Sequence, residues 1–217
     1  MARVRILHLL LILIFTVSLQ AQKITPFSSW TSNELKDANT GKYIKELSFQ
    51  EKKIIFYVNL ARMDGKRFAE TYLKDYVEDE RIPKNKYYRS LVKTLNEQPP
   101  LPILHFEEDL YKEAEKHAKE MGKTGKKGHR SAGHKSFEER MEKHRERYSK
   151  LKEVNQYGYP DALSIVVDLL IDDDKESLIQ RKTLLNEDFR YIGVAIRAHK
   201  EYTVNTSFLL GGALLSD

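Results

Sequence analysis

The chain has 217 residues, no cysteine and a formal charge of +5 at neutral pH. Without cysteine, neither disulfide bonds nor a thiol-linked lipid anchor is possible, so a packed core must stabilise the fold. Basic and acidic residues are nearly balanced and interleaved, which argues against an electrostatic surface for nucleic acid. The length fits one globular domain, and no internal repeat indicates a solenoid.

The N-terminus has the order of parts found in an export signal. Arg3 and Arg5 precede an apolar run of 14 residues, Ile6 to Leu19, and the small residue Ala21 follows. The run is shorter than the roughly 20 residues that cross a bilayer as a helix, which favours a cleaved signal over a membrane anchor. We predict a signal peptide at residues 1–21 and a secreted or periplasmic mature protein that is not an integral membrane protein.

The next segment, residues 22–45, contains many Ser, Thr and Asn residues with little periodicity. This composition predicts an N-terminal arm or linker that packs loosely on a domain formed by residues 46–217. Ser48 and Glu51 have the spacing of a capping box, so a helix is predicted to begin there. Its apolar pattern continues to about Tyr76.

The middle of the chain predicts three further helices. The first runs from Phe106 to Met121 and is closed by Gly122, and His117 on its apolar face is interpreted as a satisfied core histidine. A strongly charged surface helix is predicted from Phe137 to about Lys152. The third helix, apolar on most sides, begins at Pro160.

The C-terminal part of the chain predicts paired strands. Residues 190–198 and 201–210 carry β-branched and aromatic residues and are separated by a short connection suited to a hairpin. Helices first and strands last indicate an α+β domain with an antiparallel sheet.

The order of four segments resembles the CAP superfamily, which includes cysteine-rich secretory proteins, antigen 5 and plant pathogenesis-related proteins. The likeness is to its bacterial secreted branch and covers about Phe49 to Gly212. The segments are Asn59-x-x-Arg62, His117-Ala118-x-x-Met121 with Gly128-His129, Glu153-x-Asn155-x-Tyr157-Gly158, and Arg181-x-x-Leu184-Leu185-Asn186-x-x-Phe189. This resemblance implies a three-layer α-β-α sandwich with a central antiparallel sheet.

The resemblance also implies a central cleft with two histidines and two glutamates, which hold zinc or another divalent cation in some members. His129 matches the first histidine and Glu153 the first glutamate, whereas Gln180 stands where the second histidine is expected. The second glutamate has no clear match, and Asp172 or Asp173 could stand in for it. Zinc sites typically use three protein ligands or more, so the cleft is predicted to be degenerate as a metal site.

The residues predicted to line the cleft are His129, Glu153, Asn155, Tyr157, Gln180 and Arg181. His134 lies in the same loop as His129 and could take its place. Glu153 and Asn155 could instead serve only to hold a turn before Tyr157.

Two functions stay open. The first is an extracellular binding or interaction module without a cofactor, whose ligand is a lipid, a cell-wall glycan or another protein. The second is a metal-assisted hydrolase, possibly a peptidase, in which His129 and Glu153 act together with Asp173 or His134. The sequence contains no Gly-x-Ser-x-Gly elbow, no His-Glu-x-x-His pair and no phosphate-binding glycine loop, which removes the common hydrolase and nucleotide-dependent classes.

Overall fold

The structure is a computed structural model that describes residues 26–173 and 177–215. The predicted signal peptide at residues 1–21 lies outside these ranges. No helix within them is long and apolar enough to cross a membrane.

Helices make up most of the described chain before the terminal strands. In chain order they are α1 (Ser32–Ala38), α2 (Phe49–Met63), α3 (Gly65–Phe68), α4 (Lys74–Asp79), α5 (Lys86–Glu97), α6 (Glu108–Thr124), α7 (Phe137–Met141), α8 (Ala162–Ile171) and α9 (Ile179–Leu184). Short 3₁₀ turns occur at Pro26–Ser29 and Glu142–His144, and a π-helical turn at Ala69–Leu73.

The sheet has four strands in the described ranges, β1 (His105–Phe106), β2 (Leu151–Tyr157), β3 (Tyr191–His199) and β4 (Thr203–Gly211). Their order is β1-β3-β4-β2. The β3–β4 and β2–β4 pairs are antiparallel, and only the short edge strand β1 runs parallel to β3. The predicted α+β class and the terminal hairpin are confirmed, and the sheet is mixed rather than wholly antiparallel.

Helices cover both faces of this sheet. Helix α6 packs along β3 and β4, and its backbone at Leu110 and Tyr111 lies directly against Gly193 of β3. Because neighbouring residues of a strand point to opposite faces, Ile192 and Val194 face the other layer, which α2 and α8 form. Both side chains are fully buried, so the core extends across both faces of the sheet.

The start of α2 follows the prediction, but its end does not. The Ser48 backbone N–H donates to the Glu51 carboxylate at 2.7 Å, and the Glu51 N–H donates to the Ser48 hydroxyl at 3.3 Å. The helix ends at Met63 instead of continuing to Tyr76, because Asp64 leaves the helical conformation (φ −150°) and caps α3. The Asp64-Gly65 pair therefore ends the helix.

The segment predicted as a loose arm is packed on the domain from residue 28 onward. Trp30 is buried beneath the Arg67 guanidinium, 4.6 Å from the ring centre. Thr31 and Glu34 form a capping box at the start of α1, and Ala38 at its end is fully buried. These contacts make residues 28–45 part of the fold, whereas composition alone indicated a linker.

Asn59 and Arg62 of α2 join distant backbone segments. The Asn59 side chain donates to the Ala38 and Leu104 carbonyls, each at 3.0 Å, and accepts from the Leu104 N–H at 2.7 Å. The buried Arg62 guanidinium donates to four carbonyl oxygens, those of Pro102, Leu184, Asn186 and Phe189. Burial lowers the pKa of Arg62 to about 10, so the side chain stays charged at neutral pH.

Three predicted helices have different bounds in the structure. Gly122 lies inside α6, where the helix meets the Ala198 carbonyl, and Gly125 with φ +72° is the C-cap. The charged helix predicted from Phe137 to Lys152 is α7 followed by a 3₁₀ turn, and it ends at His144. Helix α8 begins after Asp161, whose carboxylate accepts from the Ser164 N–H, so Pro160 precedes the helix rather than opening it.

The close contact between α6 and β3 leaves no room for a side chain at Gly193. A Cβ atom at this position would lie 2.1 Å from the Tyr111 nitrogen and 2.2 Å from the Leu110 carbonyl carbon. Since backbone atoms cannot rotate away, we expect Gly193→Ala to lower the free energy of unfolding by about 3 kcal/mol. Gly133→Ala is the control, because its Cβ would meet nothing closer than 3.8 Å. Equal urea midpoints for the two variants would contradict this packing.

Candidate ligand-binding cleft

The candidate cleft lies where strand β2 meets the loop that follows α6. Glu153, Asn155 and Tyr157 occupy alternate positions of β2 and therefore point to the same face of the sheet. The alternative in which Glu153 and Asn155 hold a turn before Tyr157 is wrong, because both lie within β2 and pair with β4 opposite Leu209 and Ser207.

The Glu153 carboxylate is the centre of the cleft. Its side chain is 1% exposed. The oxygen Oε1 lies 2.9 Å from His129 Nδ1 and accepts from the Asn155 amide at 3.0 Å. The other oxygen, Oε2, forms an ion pair with Arg140 Nη2. Both carboxylate oxygens are thus engaged by donors of the protein itself.

His117 of α6 also reaches this carboxylate. Its ring is buried, with Nε2 at 2.9 Å from the Gly128 carbonyl and 3.5 Å from Glu153 Oε1. The carbonyl can only accept, so Nε2 carries the proton in the neutral ring. The other nitrogen, Nδ1, has no hydrogen-bond partner among the described residues. His117 is a core histidine, as expected, and it is also part of the cleft.

The loop that presents His129 is held from several sides. The Gly128 N–H donates to the Tyr157 hydroxyl at 2.9 Å, and Arg140 donates to the His129 carbonyl at 3.0 Å. His199 Nε2 lies 3.0 Å from the Lys126 carbonyl. Gly128 adopts φ +102°, a conformation that favours glycine. The loop conformation therefore fixes where the His129 ring lies.

His129 is the exposed member of the cluster. More than half of its side chain, 54%, is exposed, in contrast to His117. Because Nδ1 faces the Glu153 carboxylate, Nδ1 carries the ring proton in the neutral form and Nε2 is left with its lone pair. An oriented imidazole with a free Nε2 can accept a hydrogen bond or a proton from a bound molecule.

The charges in the cluster shift two pKa values. Burial alone would raise the pKa of Glu153, but the hydrogen bond from His129 and the positive charges of His117 and Arg140 outweigh it and lower that pKa. Burial lowers the pKa of His117, and the nearby Glu153 carboxylate opposes this only in part. The ion pair between Arg140 and an ionised Glu153 is therefore the stable state at neutral pH.

Sequence reasoning missed Arg140. This residue lies on α7 within a run of charged side chains that was interpreted as a solvated helix surface. Its side chain is only 9% exposed, and its Cζ lies 5.7 Å from the centre of the Phe137 ring. Phe137 and Met141 mark the buried side of α7, but the sequence contains no signal that pairs Arg140 with Glu153.

The other predicted residues do not join the cluster. The buried Arg181 guanidinium donates to the Leu170 and Ile171 carbonyls at 2.6 and 2.7 Å, which are at the end of α8. The backbone N–H groups of Gln180 and Arg181 donate to Asp172 Oδ2. Asp173 is exposed, and His134 contributes its carbonyl to Arg130. Arg181 and Asp172 thus connect α8 to α9.

Two cavities flank the cluster. The His129 cavity has a volume of about 300 Å³ and is lined by His129, Arg130, Ser136, Phe137, Glu138, Lys152, Glu153, Ile179 and Thr183. The His117 cavity has a volume of about 510 Å³ and includes His117, Arg140, Glu113 and Lys143 in its walls. Arg140 lines the His117 cavity, and Glu153 lines the His129 cavity. Within residues 26–173 and 177–215, no group of three or more His, Cys, Asp or Glu residues is arranged to hold a metal ion.

The lowered pKa of His117 predicts a pH dependence of stability. The unfolded chain binds a proton at the ordinary pKa of 6.5, whereas the folded protein does so only at lower pH. Stability should therefore fall as the pH drops below about 6.5. We expect the melting temperature of His117→Gln to change less than that of the wild type between about pH 7 and pH 5. His105 is exposed, so His105→Gln should show the same dependence of melting temperature on pH as the wild type. If His117→Gln also shows this dependence unchanged, His117 is excluded as its cause.

Comparison with known proteins assigns the chain to a family. Residues 57–209 match the model of the cysteine-rich secretory protein family, known as CAP. No protein of curated function matches.

Several solved structures are similar to the chain. An outer surface protein of Borrelia burgdorferi is 22% identical, with 63% of this chain and 93% of that chain covered and a TM-score of 0.44. Venom allergen-like protein 4 of Schistosoma mansoni is 14% identical, with 78% and 92% covered and a TM-score of 0.46. An extracellular protein of Bacillus anthracis that contains an SCP domain is 22% identical, with 51% and 34% covered and a TM-score of 0.41. With a family model that matches most of its length, the chain belongs to the CAP family of cysteine-rich secretory proteins.

Proposed function

We propose that this CAP domain is an extracellular or periplasmic binding module whose cleft works with the protein's own cation in place of a metal. The observation that supports the proposal best is the state of Glu153. Arg140 neutralises its charge, and His129 and Asn155 engage its second oxygen. The signal-peptide pattern at residues 1–21 supports export.

A metal does not fit the cleft as its residues are arranged. A zinc ligand must direct a free lone pair at the ion, and both oxygens of Glu153 already accept hydrogen bonds or an ion pair from the protein. His117 Nε2 donates to the Gly128 carbonyl. Gln180, at the position of the second family histidine, is not part of the cavity wall. The engaged oxygen and nitrogen atoms and the missing histidine both support the proposal that the cleft is degenerate as a metal site.

The lining of the His129 cavity favours a polar ligand. Arg130, Ser136, Lys152 and Thr183 offer donors, and Glu138 offers an acceptor. Phe137 and Ile179 are the apolar side chains of the wall, which leaves little surface for a lipid. Sugars combine hydroxyl groups at the ring edge with C–H groups on the ring face, so they fit a wall with one aromatic ring and several polar groups. Of the three ligand classes, a cell-wall glycan agrees best with this lining.

Binding to purified cell-wall sacculi tests the proposal. We expect the processed protein to cosediment with sacculi and His129→Ala to weaken binding by about tenfold, since the variant loses the exposed imidazole at the cavity mouth. His105→Ala is the matched control, because His105 is exposed on β1. Wild-type protein that stays in the supernatant, or equal binding by the two variants, would refute a glycan site in this cavity.

One observation supports a hydrolase as the second candidate. A carboxylate that orients a histidine through Nδ1 leaves Nε2 able to act as a general base. Because both oxygens of Glu153 are engaged, His129 would be the general base and Glu153 the group that orients it. Release of soluble sugar or peptide from sacculi, lost in His129→Ala, would establish this activity. Binding of the protein to sacculi without their degradation would exclude the hydrolase and support the binding module.

Replacing Arg140 tests the built-in cation directly. Arg140→Met leaves a buried carboxylate unpaired, which should cost about 3 kcal/mol of folding free energy. It also frees Glu153 Oε2. Zinc binding there requires His129 and His117 to carry their ring protons on the opposite nitrogens, so that His129 Nδ1 and His117 Nε2, which lie 2.9 and 3.5 Å from Glu153 Oε1, direct lone pairs at the ion. We expect zinc to bind Arg140→Met at least about tenfold more tightly than the wild type and to restore stability.

Two controls make this result specific. Arg140→Met/Glu153→Gln should bind no zinc, because the carboxylate ligand is lost. Arg145→Met removes an exposed arginine that pairs with Glu142 and should leave zinc binding and stability unchanged. Tight zinc binding by the wild type in calorimetry would overturn the proposal that Arg140 takes the place of a metal.

A further inference from the structure

Two exposed aromatic side chains lie six residues apart in a segment that is far from the cleft residues in sequence. Among the described residues, Tyr43 and Phe49 are the most exposed large hydrophobic side chains, at 83% and 69%. Soluble proteins bury most aromatic rings, and clustered exposed ones indicate an interaction site.

The fold packs the turn before Tyr43 against the helix that begins at Phe49. The Gly41 backbone lies against Ile55, Leu47 and the Lys52 backbone of α2, and hydrogen bonds from Lys42 to Asn39 and from Ile44 to Gly41 close the turn. Leu47 is buried and Ile44 is partly buried. These contacts place the turn that carries the exposed Tyr43 against α2, whose first turn carries the exposed Phe49.

Lysines surround the two rings. Lys52 and Lys53 follow Phe49 at positions i+3 and i+4, so the three side chains share the outer face of α2. Lys53 Nζ lies 4.8 Å from the Phe49 ring centre, and Lys42 Nζ lies 5.1 Å from that of Tyr43. Lys45 is exposed on the turn between them.

The acidic residues of this segment do not neutralise the lysines. Glu51 is buried, caps α2 through Ser48 and pairs with Arg197. Glu46 is the exposed acid of residues 42–53. The surface formed by Lys42, Tyr43, Lys45, Phe49, Lys52 and Lys53, here called the aromatic–lysine patch, therefore carries net positive charge.

We propose that the aromatic–lysine patch docks the protein on the surface of an anionic phospholipid bilayer. Aromatic side chains are favoured at the boundary between headgroups and acyl chains, and lysines near an anionic surface are attracted to its phosphates. In solution each ammonium group shields a ring. At a membrane the lysines can reach the phosphates and leave the rings free to insert. A bilayer matches both features of the patch, whereas a protein partner would require a matching acidic and apolar surface.

Vesicle flotation tests this inference with the processed protein lacking residues 1–21. We expect binding to vesicles of phosphatidylcholine with about one third phosphatidylglycerol, little binding to phosphatidylcholine alone, and weaker binding as salt is raised. Lys52→Gln/Lys53→Gln should weaken binding about 25-fold, at about fivefold per lysine. Phe49→Ser should weaken it by about tenfold through lost apolar burial.

The controls lie on other surfaces. Lys66→Gln/Lys93→Gln removes the same charge from two exposed lysines on α3 and α5 and should leave most binding intact. His129→Ala should bind vesicles like the wild type, which separates this proposal from the cleft. Circular dichroism confirms that Phe49→Ser is folded.

Three results would overturn the proposal. The first is absence of binding to anionic vesicles, and the second is equal loss of binding in the patch and control lysine variants. The third is concentration-dependent dimerisation that Phe49→Ser abolishes while vesicle binding persists, which would make the patch a contact between two copies of the chain.

Discussion

The burial of one carboxylate constrains the organisation of this protein's cleft. An ionised carboxylate out of water is unfavourable by several kcal/mol unless charge and hydrogen bonds replace its hydration. Glu153 obtains these from three different parts of the chain, since Arg140 comes from α7, His129 from the loop after α6, and Asn155 from β2 itself. The energy of one buried group therefore fixes the relative positions of a helix, a loop and a strand.

The scaffold makes that arrangement possible through close backbone packing. Gly193 and Gly122 let α6 lie directly on β3, which brings His117 to the Gly128 carbonyl and positions the loop that starts at Gly125. On the opposite layer, Asn59 and Arg62 tie α2 to loops that are distant in sequence. Of the four segments that resembled the CAP family, the Asn59 and Arg62 segment serves packing, and the Glu153 segment serves the cleft.

The parts of the fold that depend on local signals were predicted well. The Ser48–Glu51 capping box and the hairpin of β3 and β4 are encoded within a few residues, by cap chemistry and by β-branched patterning. Strand β2 was missed because Leu151–Tyr157 has polar residues on both faces, so its sequence lacks a period of two. One face carries Glu153 and Asn155 toward the cleft, and the other includes Gln156, which donates to Asp168. A strand that holds a polar site loses the pattern that would reveal it.

The same distinction applies to the cleft. His129 and Glu153 could be identified because the family resemblance assigns roles to single positions. The contacts of Arg140 and His117 with Glu153 could not be predicted, because they span 13 and 36 residues of sequence and no local pattern encodes them. Gln180 marked the loss of a ligand, but no local pattern indicates which side chain balances the charge of the remaining carboxylate.

A guanidinium in this position has chemical consequences that differ from those of a metal ion. Arginine keeps its charge at all physiological pH values and fixes its partner through directed N–H bonds. It has no open coordination position, so it cannot bind and activate a water molecule in the way that catalytic zinc does. The cleft chemistry then rests on His129 Nε2 and on hydrogen-bond donors of the His129 cavity. Such groups recognise hydroxyl and amide groups well, which agrees with a site built for binding.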